Sequence, residues 1–187
     1  MDHFLNIRLR PDPEFPPHQL MEALFAKLHR ILAVQQRQDI GISFPGIQVQ
    51  PSNLGLVLRL HGKAIALKDL MDAAWLGGMV QMTEISPILP TPADAVHRRV
   101  IREQAKSSAE RLRRRLIKRK QITAEEALKR IPDSVCERLS LPFLEINSGS
   151  TGQRFRLFLR QGSIETTAVS GHFNAYGLSQ SATIPWF

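Results

Sequence analysis

Cysteine is nearly missing from this chain: Cys136 is the only one in 187 residues, which excludes an internal disulfide framework and suits a reducing compartment. No apolar run is long enough to span a bilayer. Charges interrupt the apolar residues of Met1–Arg10, unlike a signal peptide, so a cytoplasmic protein with no membrane partner is expected. The six histidines, at positions 3, 18, 29, 61, 97 and 172, include no pair at HxxxH spacing, and a protein-bound metal is not indicated. There is no GxSxG elbow, no P-loop and no paired-carboxylate signature, so the standard hydrolase and nucleoside-triphosphate readings fail. Neither an internal repeat nor a low-complexity tract is present. Acidic residues are scarce as well, 17 against 25 Lys and Arg, leaving a formal net charge of +8. That balance points to nucleic acid or an anionic surface. A hydrophobic content of 43% supports one elongated domain or two small ones with real cores and excludes disorder.

What is abundant is positive charge in one segment. Ser107–Lys120 reads SSAERLRRRLIKRK, and Ser107 with Glu110 has the spacing of a capping box that starts a helix. At roughly 100° per residue, Arg111, Arg114, Arg115, Lys118 and Arg119 fall in a stripe about 140° wide. Leu112 and Leu116 lie beside that stripe and can dock on a core. An ordinary solvated helix mixes signs so that i,i+4 pairs form. Like charges gathered on one face repel one another until an anion arrives, so this helix, over about 108–120, is expected to grip a polyanion.

Around that helix the periodicities define an order of elements. His3–Leu9 alternates as a half-buried strand. Pro16 and Pro17 suit a first helical turn, after which Leu20, Leu24, Leu28, Ile31 and Leu32 repeat at helical spacing. Apolar runs at Ile40–Phe44 and Gly55–Leu60, a helical pattern over Leu67–Leu76 and a strand-like Met79–Ile85 complete a βαββαβ order. The fold expected is therefore α+β: a ferredoxin-like domain over residues 1–90, then a mixed α/β RNA-recognition domain over 94–187 that carries the arginine-rich helix. The proline-rich SPILPTPA between them reads as an extended connector. In the second domain a basic strand covers Val96–Gln104, and a short helix follows a Thr123–Glu126 capping box. Strands are expected at Phe143–Ile146, Arg154–Leu159, Ile164–Val169 and Phe173–Tyr176, separated by Gly and Ser turns.

Two further features carry chemical potential. Asn147–Gln153, NSGSTGQ, offers Ser148, Ser150, Thr151 and backbone N–H groups to a phosphate, although a plain turn fits the same composition. Phe155, in QRFRLFLRQG, is an aromatic among basic residues and suits either base stacking or core packing. GLVLRLHG in the first domain lacks the aromatic pattern of an RRM, so RNA contact is expected in the second domain. His29 sits at the edge of the first helix's apolar stripe, where a partly buried structural histidine is the plain alternative to a functional one.

Several segments together resemble one family. DHFLNIRLRPDPEFPPHQLMEALFAKLH, RVIREQAKSSAERLRRRLIKRK, KRIPDSV, STGQRFRLFLRQG, YGLS and the terminal PWF are similar, in order and from end to end, to the type I-F CRISPR-associated endoribonucleases that cut precursor CRISPR RNA at its repeat hairpin. The resemblance implies a metal-independent cut without a cofactor, in which the RNA's own 2′-hydroxyl attacks the adjacent phosphate and leaves a 2′,3′-cyclic phosphate. His29 matches the catalytic histidine, a natural base because an ordinary imidazole titrates near 6.5. Ser148 matches the group that orients the attacking oxygen. Tyr176 matches an active-site tyrosine suited to positioning, since a phenol with a pKa of about 10 is a poor base. Ser150 and Thr151 match residues that bind the scissile region. Arg102 and Gln104 match a pair that reads base edges, and Phe155 an aromatic that stacks beneath the terminal base pair. Arg114, Arg115, Lys118, Arg119 and Lys120 match a helix that runs along the stem's major groove. Lysine at 118 and 120 stands where the family pattern has arginine and histidine, so charge contacts are expected there but not those needing a planar fork or a ring. The partners implied are the CRISPR repeat stem-loop, before and after cutting, and the other subunits of the RNA-guided surveillance complex. A non-catalytic hairpin-binding subunit fits the same binding residues, and a general basic RNA-binding protein is the third reading.

Overall fold

A computed structural model of the chain describes residues 1–104, 109–133, 139–147 and 152–187. The chain divides into two compact units, residues 1–102 with 141–187, and residues 103–140. The larger unit holds two sheets. In the first, β1 (His3–Leu9) pairs antiparallel with β3 (Val57–Gly62), β4 (Thr83–Ile85) and β5 (Leu89–Pro90), while β2 (Gly41–Ser43) pairs with β3. The strand order is β2-β3-β1-β4. The second sheet has the order β7-β8-β6-β9, from β6 (Val96–Glu103), β7 (Phe143–Asn147), β8 (Arg154–Glu165) and β9 (Ile184–Trp186).

The long helix α1 (Pro17–Val34) begins where proline's missing N–H costs nothing, with Pro16 as N-cap and Pro17 in the first turn. It buries Leu20, Met21, Leu24, Phe25, Leu28 and Leu32 against Leu5, Ile7 and Leu9 of β1 and Leu58 and Leu60 of β3. The same apolar cluster continues into the second sheet through Val100, Leu144, Ile146, Leu157 and Ile184. Phe4, on the opposite face of β1, is also buried, packed edge-on against the terminal Phe187 at 4.8 Å. Arg59 completes that contact, 4.0 Å from the Phe187 ring centre. Burial lowers the pKa of its guanidinium from the usual arginine value.

Four expected elements take a different form. The pattern read over Leu67–Leu76 is α2, Ala64–Asp72, which ends as the chain turns through Ala74 at a φ of 49°. Met79–Ile85 is not one strand. Val80–Met82 is a 3₁₀ turn, held where Thr83 Oγ1 donates to the Met79 carbonyl at 2.9 Å, and only Thr83–Ile85 is extended. β8 runs unbroken for 12 residues through Gly162, where a Cβ would meet Arg99 of β6 only at ordinary van der Waals distances of 3.4 Å or more, so the position fits a regular strand. The separate strand expected over Ile164–Val169 therefore does not form: Ile164 and Glu165 are the last two residues of β8 itself. Phe173–Tyr176 is a turn, and the strand that fills this part of the sheet is β9. Its Pro185 is tolerated because β9 is an edge strand, paired only to β6.

The smaller unit contains α3 (Ala109–Lys120) and α4 (Ala124–Arg130). α4 starts at the N-cap Thr123, whose side chain accepts from the Glu126 N–H at 3.2 Å. Arg113 fastens α3 to the segment after α4, donating to the Ile131 carbonyl at 2.7 Å and to Asp133 at 2.6 Å. Among the described residues no helix is long and apolar enough to cross a membrane.

Candidate functional site

α1 presents His29 on the flank of its buried stripe, half-buried beside the fully enclosed Leu28. The imidazole stacks on Tyr176, with ring centres 4.1 Å apart and planes 11° from parallel. The Phe25 ring lies parallel to Tyr176, with centres 6.3 Å apart. His29 Nδ1 is 2.8 Å from the carbonyl oxygen of Ala175. A carbonyl only accepts, so Nδ1 carries the proton. In the neutral ring the lone pair is then on Nε2, the nitrogen able to take up a proton.

The partner segment is built to hold that arrangement. Asn174 Oδ1 accepts from the N–H of Tyr176 at 2.9 Å and of Leu178 at 3.2 Å, folding 174–178 into a tight turn. The turn is anchored at both ends, with the Phe173 N–H donating to the Gln38 carbonyl and the Ile42 N–H of β2 to the Gly177 carbonyl, each at 3.0 Å. Gly177 has a φ of 69°, and a Cβ on it would sit 2.6 Å from Ile42 Cγ2. Both its conformation and its packing require glycine. Asn174 and the Ala175 carbonyl were missed in the sequence. The N-A-Y-G pattern carries a turn signal, but a backbone acceptor has no signature of its own.

Arg102, near the end of β6, has its guanidinium carbon 5.6 Å from the Tyr176 ring centre and 5.4 Å from that of Phe155 on β8, both within cation–π range. His29, Tyr176, Arg102 and Phe155 are thus brought together from α1, the 174–178 turn and two strands of one sheet. Phe155 is only partly buried and packs against the core, so one side rests on apolar neighbours while the ring keeps some exposure. The basic residues flanking it, Arg154 and Arg156, are both exposed and both pair with Glu145. Gln104 is exposed, just beyond β6 in the smaller unit. Ser148, Ser150 and Thr151 lie outside the described residues, as do Ser107 of the capping box and Cys136.

On α3, Arg111, Arg114, Arg115, Lys118, Arg119 and Lys120 are exposed, whereas Leu112, Arg113, Leu116 and Ile117 are partly covered. Arg113 is the basic residue turned to structural use. Arg114 donates to Glu110 at 2.8 Å, with both side chains more than three-quarters exposed, an i,i+4 pair stabilising by about 0.3–0.5 kcal/mol and readily exchanged for an external anion. The helix thus keeps its cations toward solvent over three turns. Among the described residues no group of three or more His, Cys, Asp or Glu side chains could hold a metal ion.

A histidine with its proton fixed on Nδ1 and stacked on Tyr176, with Arg102 and Phe155 close to that ring, defines a site with a base at hand, and the smaller unit carries a cationic helix of the class suited to a polyanion. Comparison with known proteins makes this specific. The chain belongs to the family described as CRISPR-associated protein (Cas_Csy4), whose model matches residues 4–187. It is 50% identical to the CRISPR-associated endonuclease Cas6/Csy4 of Pseudomonas aeruginosa strain UCBPP-PA14, over the whole of both chains. Its identity to the protein of the same name from Escherichia coli strain UTI89 is 46%, again over the full length of both.

Proposed function

We propose that this protein is a metal-independent endoribonuclease that cuts the repeat hairpin of precursor CRISPR RNA and then keeps the product as a subunit of the surveillance complex. Full-length similarity to named CRISPR-associated endonucleases supports the reaction class. The observation that carries the mechanism is the hydrogen bond from His29 Nδ1 to the Ala175 carbonyl, which leaves Nε2 as the basic nitrogen. Nε2 takes the proton from the 2′-hydroxyl, the 2′-oxygen bonds to the adjacent phosphorus, and the bond from phosphorus to the 5′-oxygen breaks. The leaving 5′-oxygen takes a proton from water while the His29 imidazolium returns its proton to solvent, yielding a 2′,3′-cyclic phosphate and a 5′-hydroxyl. None of these steps needs a metal or a cofactor.

In this reading Ser148 orients the attacking oxygen in line with its leaving group, and Tyr176 fixes the imidazole plane by stacking. Ser150 and Thr151 bind the scissile region. Arg102 and Gln104 read base edges at the foot of the stem, Phe155 stacks beneath the last pair, and Arg111, Arg114, Arg115, Lys118, Arg119 and Lys120 hold stem phosphates. The order β2-β3-β1-β4, antiparallel throughout its registered pairs, supports a ferredoxin-like scaffold over residues 1–90, with RNA recognition assigned to 94–187 and a cytoplasmic setting. The test is cleavage of a CRISPR repeat hairpin in EDTA, beside the same RNA carrying one 2′-deoxy nucleotide at the cut. Cutting of the first, with binding but no cutting of the second, is expected. Tight binding of both without cutting leaves a hairpin-binding subunit instead.

A further inference from the structure

We infer that Asn174 is a positioning residue for the base: its side-chain oxygen aims the Ala175 carbonyl at His29 and so keeps the imidazole proton on Nδ1. This rests on the nuclease reading above. The N–H of Tyr176 and the carbonyl of Ala175 belong to one planar peptide group. That peptide is trans, so its N–H and carbonyl point in opposite directions. Asn174 Oδ1 accepts from the N–H at 2.9 Å on one side, and His29 Nδ1 donates to the carbonyl at 2.8 Å on the other. The peptide is therefore pinned from both ends. Hydrogen bonds linked in this way polarise one another. An N–H already donating to Asn174 leaves a more negative carbonyl oxygen, which holds the Nδ1 proton more firmly and leaves Nε2 as the nitrogen with the lone pair.

The turn's own backbone bond does not set the direction of this peptide. The Gly177 N–H donates to the Asn174 carbonyl at 2.8 Å, which makes Ala175 and Tyr176 the two central residues of a β-turn. The peptide joining the central residues is the one that rotates between type I and type II turns, and both types keep the outer bond. Tyr176 does not have a positive φ and resists complete rotation, so loss of the Asn174 side chain should tilt the carbonyl, not invert it. Asn174 is itself exposed, and no buried packing goes with its side chain. Its effect falls on the turn that carries both the carbonyl and the Tyr176 ring, on which His29 stacks at 4.1 Å. In a Ser-His-Asp triad a carboxylate holds the same ring nitrogen; here a neutral peptide does so, and Asn174 orients that peptide.

The experiment compares the natural chain with Asn174→Ala and Asn174→Ser. Three quantities are measured: single-turnover cleavage of the repeat hairpin, filter binding of the 2′-deoxy hairpin, and nitrogen-15 NMR of the His29 ring at about pH 8, where an ordinary imidazole is neutral. In the natural chain one ring nitrogen should give the signal of a protonated Nδ1 and the other that of a lone pair. Asn174→Ala should draw the two signals toward each other as the second tautomer becomes populated. Its cleavage rate constant should fall by about 10- to 100-fold, between the loss of one hydrogen bond and the cost of a 1 Å misplacement. Hairpin affinity should stay within about twofold, because the change acts on the reacting state and not on binding. Asn174→Ser, whose hydroxyl caps the same turn more weakly, should lie between the two on rate and on ring signals, and it carries the test if the alanine variant does not fold. The proposal is overturned if the variants leave the His29 signals in place, if the rate constant is unchanged, or if rate and affinity fall in equal proportion, as general disruption of the site would make them. Normal cutting by both variants removes only the role of Asn174. A natural chain that binds the hairpin without cutting removes the nuclease reading, and the ring signals then decide whether Asn174 sets the tautomer.

Discussion

Acidification should destabilise this protein through His61. That residue closes β3 beside β2, fully enclosed, with its Nε2 2.8 Å from Ser43 Oγ. Burial first, then the positive charges of Arg59 and the N-terminus, pushes the imidazole pKa down to about 3. In the unfolded chain it titrates near 6.5. Between these values the unfolded state binds a proton that the folded state refuses, so stability rises with pH across the window and falls as pH drops through it. From pH 7 to pH 5 the unfolded form gains about 1.4 pK units of proton binding, or about 2 kcal/mol lost from folding at 1.36 kcal/mol per unit. For a domain of ordinary stability, about 5–15 kcal/mol, that is a large share. Urea unfolding at pH 7, 6 and 5 should show the loss in the natural chain and its absence, as a difference, in His61→Gln, which keeps a polar partner for Ser43 and does not titrate. Parallel curves for the two proteins would refute the reasoning. So would imidazole NMR shifts showing His61 protonated in the folded protein at pH 5.

Other expectations concern the site. His29→Ala should abolish cutting while hairpin affinity, measured by filter binding, changes little; retained cutting removes His29 as the base. Gly177→Ala should cost more than about 1 kcal/mol in stability, since it combines a left-handed backbone with a Cβ 2.6 Å from Ile42, and should slow single-turnover cleavage by shifting the Ala175 carbonyl. Arg102→Ala should weaken binding by about 1–3 kcal/mol and relax base choice at the foot of the stem; an equal loss on every stem sequence would make it a phosphate contact. Removing Arg115 and Arg119 together should flatten the salt slope by up to about 1.8, at about 0.9 per phosphate, and an unchanged slope would show that α3 does not grip the stem.

Local patterns determined a good deal. The alternation of β1, the 3.6-residue apolar repeat of α1 behind Pro16–Pro17 and the Thr123 cap of α4 each rest on neighbours a few residues away, so the chain itself encodes them. The basic face of α3 is of the same kind, because its spacing alone decides which side chains share a side. End-to-end similarity of motifs also singled out His29, Tyr176, Arg102 and Phe155. Tertiary structure decided what those residues meet. The proton on His29 Nδ1 depends on a carbonyl 146 residues away in sequence, and backbone oxygens are alike in every residue. Arg154 and Arg156 read as open positive charge until β7 sets Glu145 between them, and Arg113, which its spacing leaves off the basic stripe of α3, has no legible partner until the Ile131 carbonyl and Asp133 take its guanidinium. Gly162 reads as a turn, yet it lies inside β8, whose place between β7 and β6 in the sheet carries the strand through it. In each case the deciding contact is long-range, and composition and spacing carry no record of which distant group arrives.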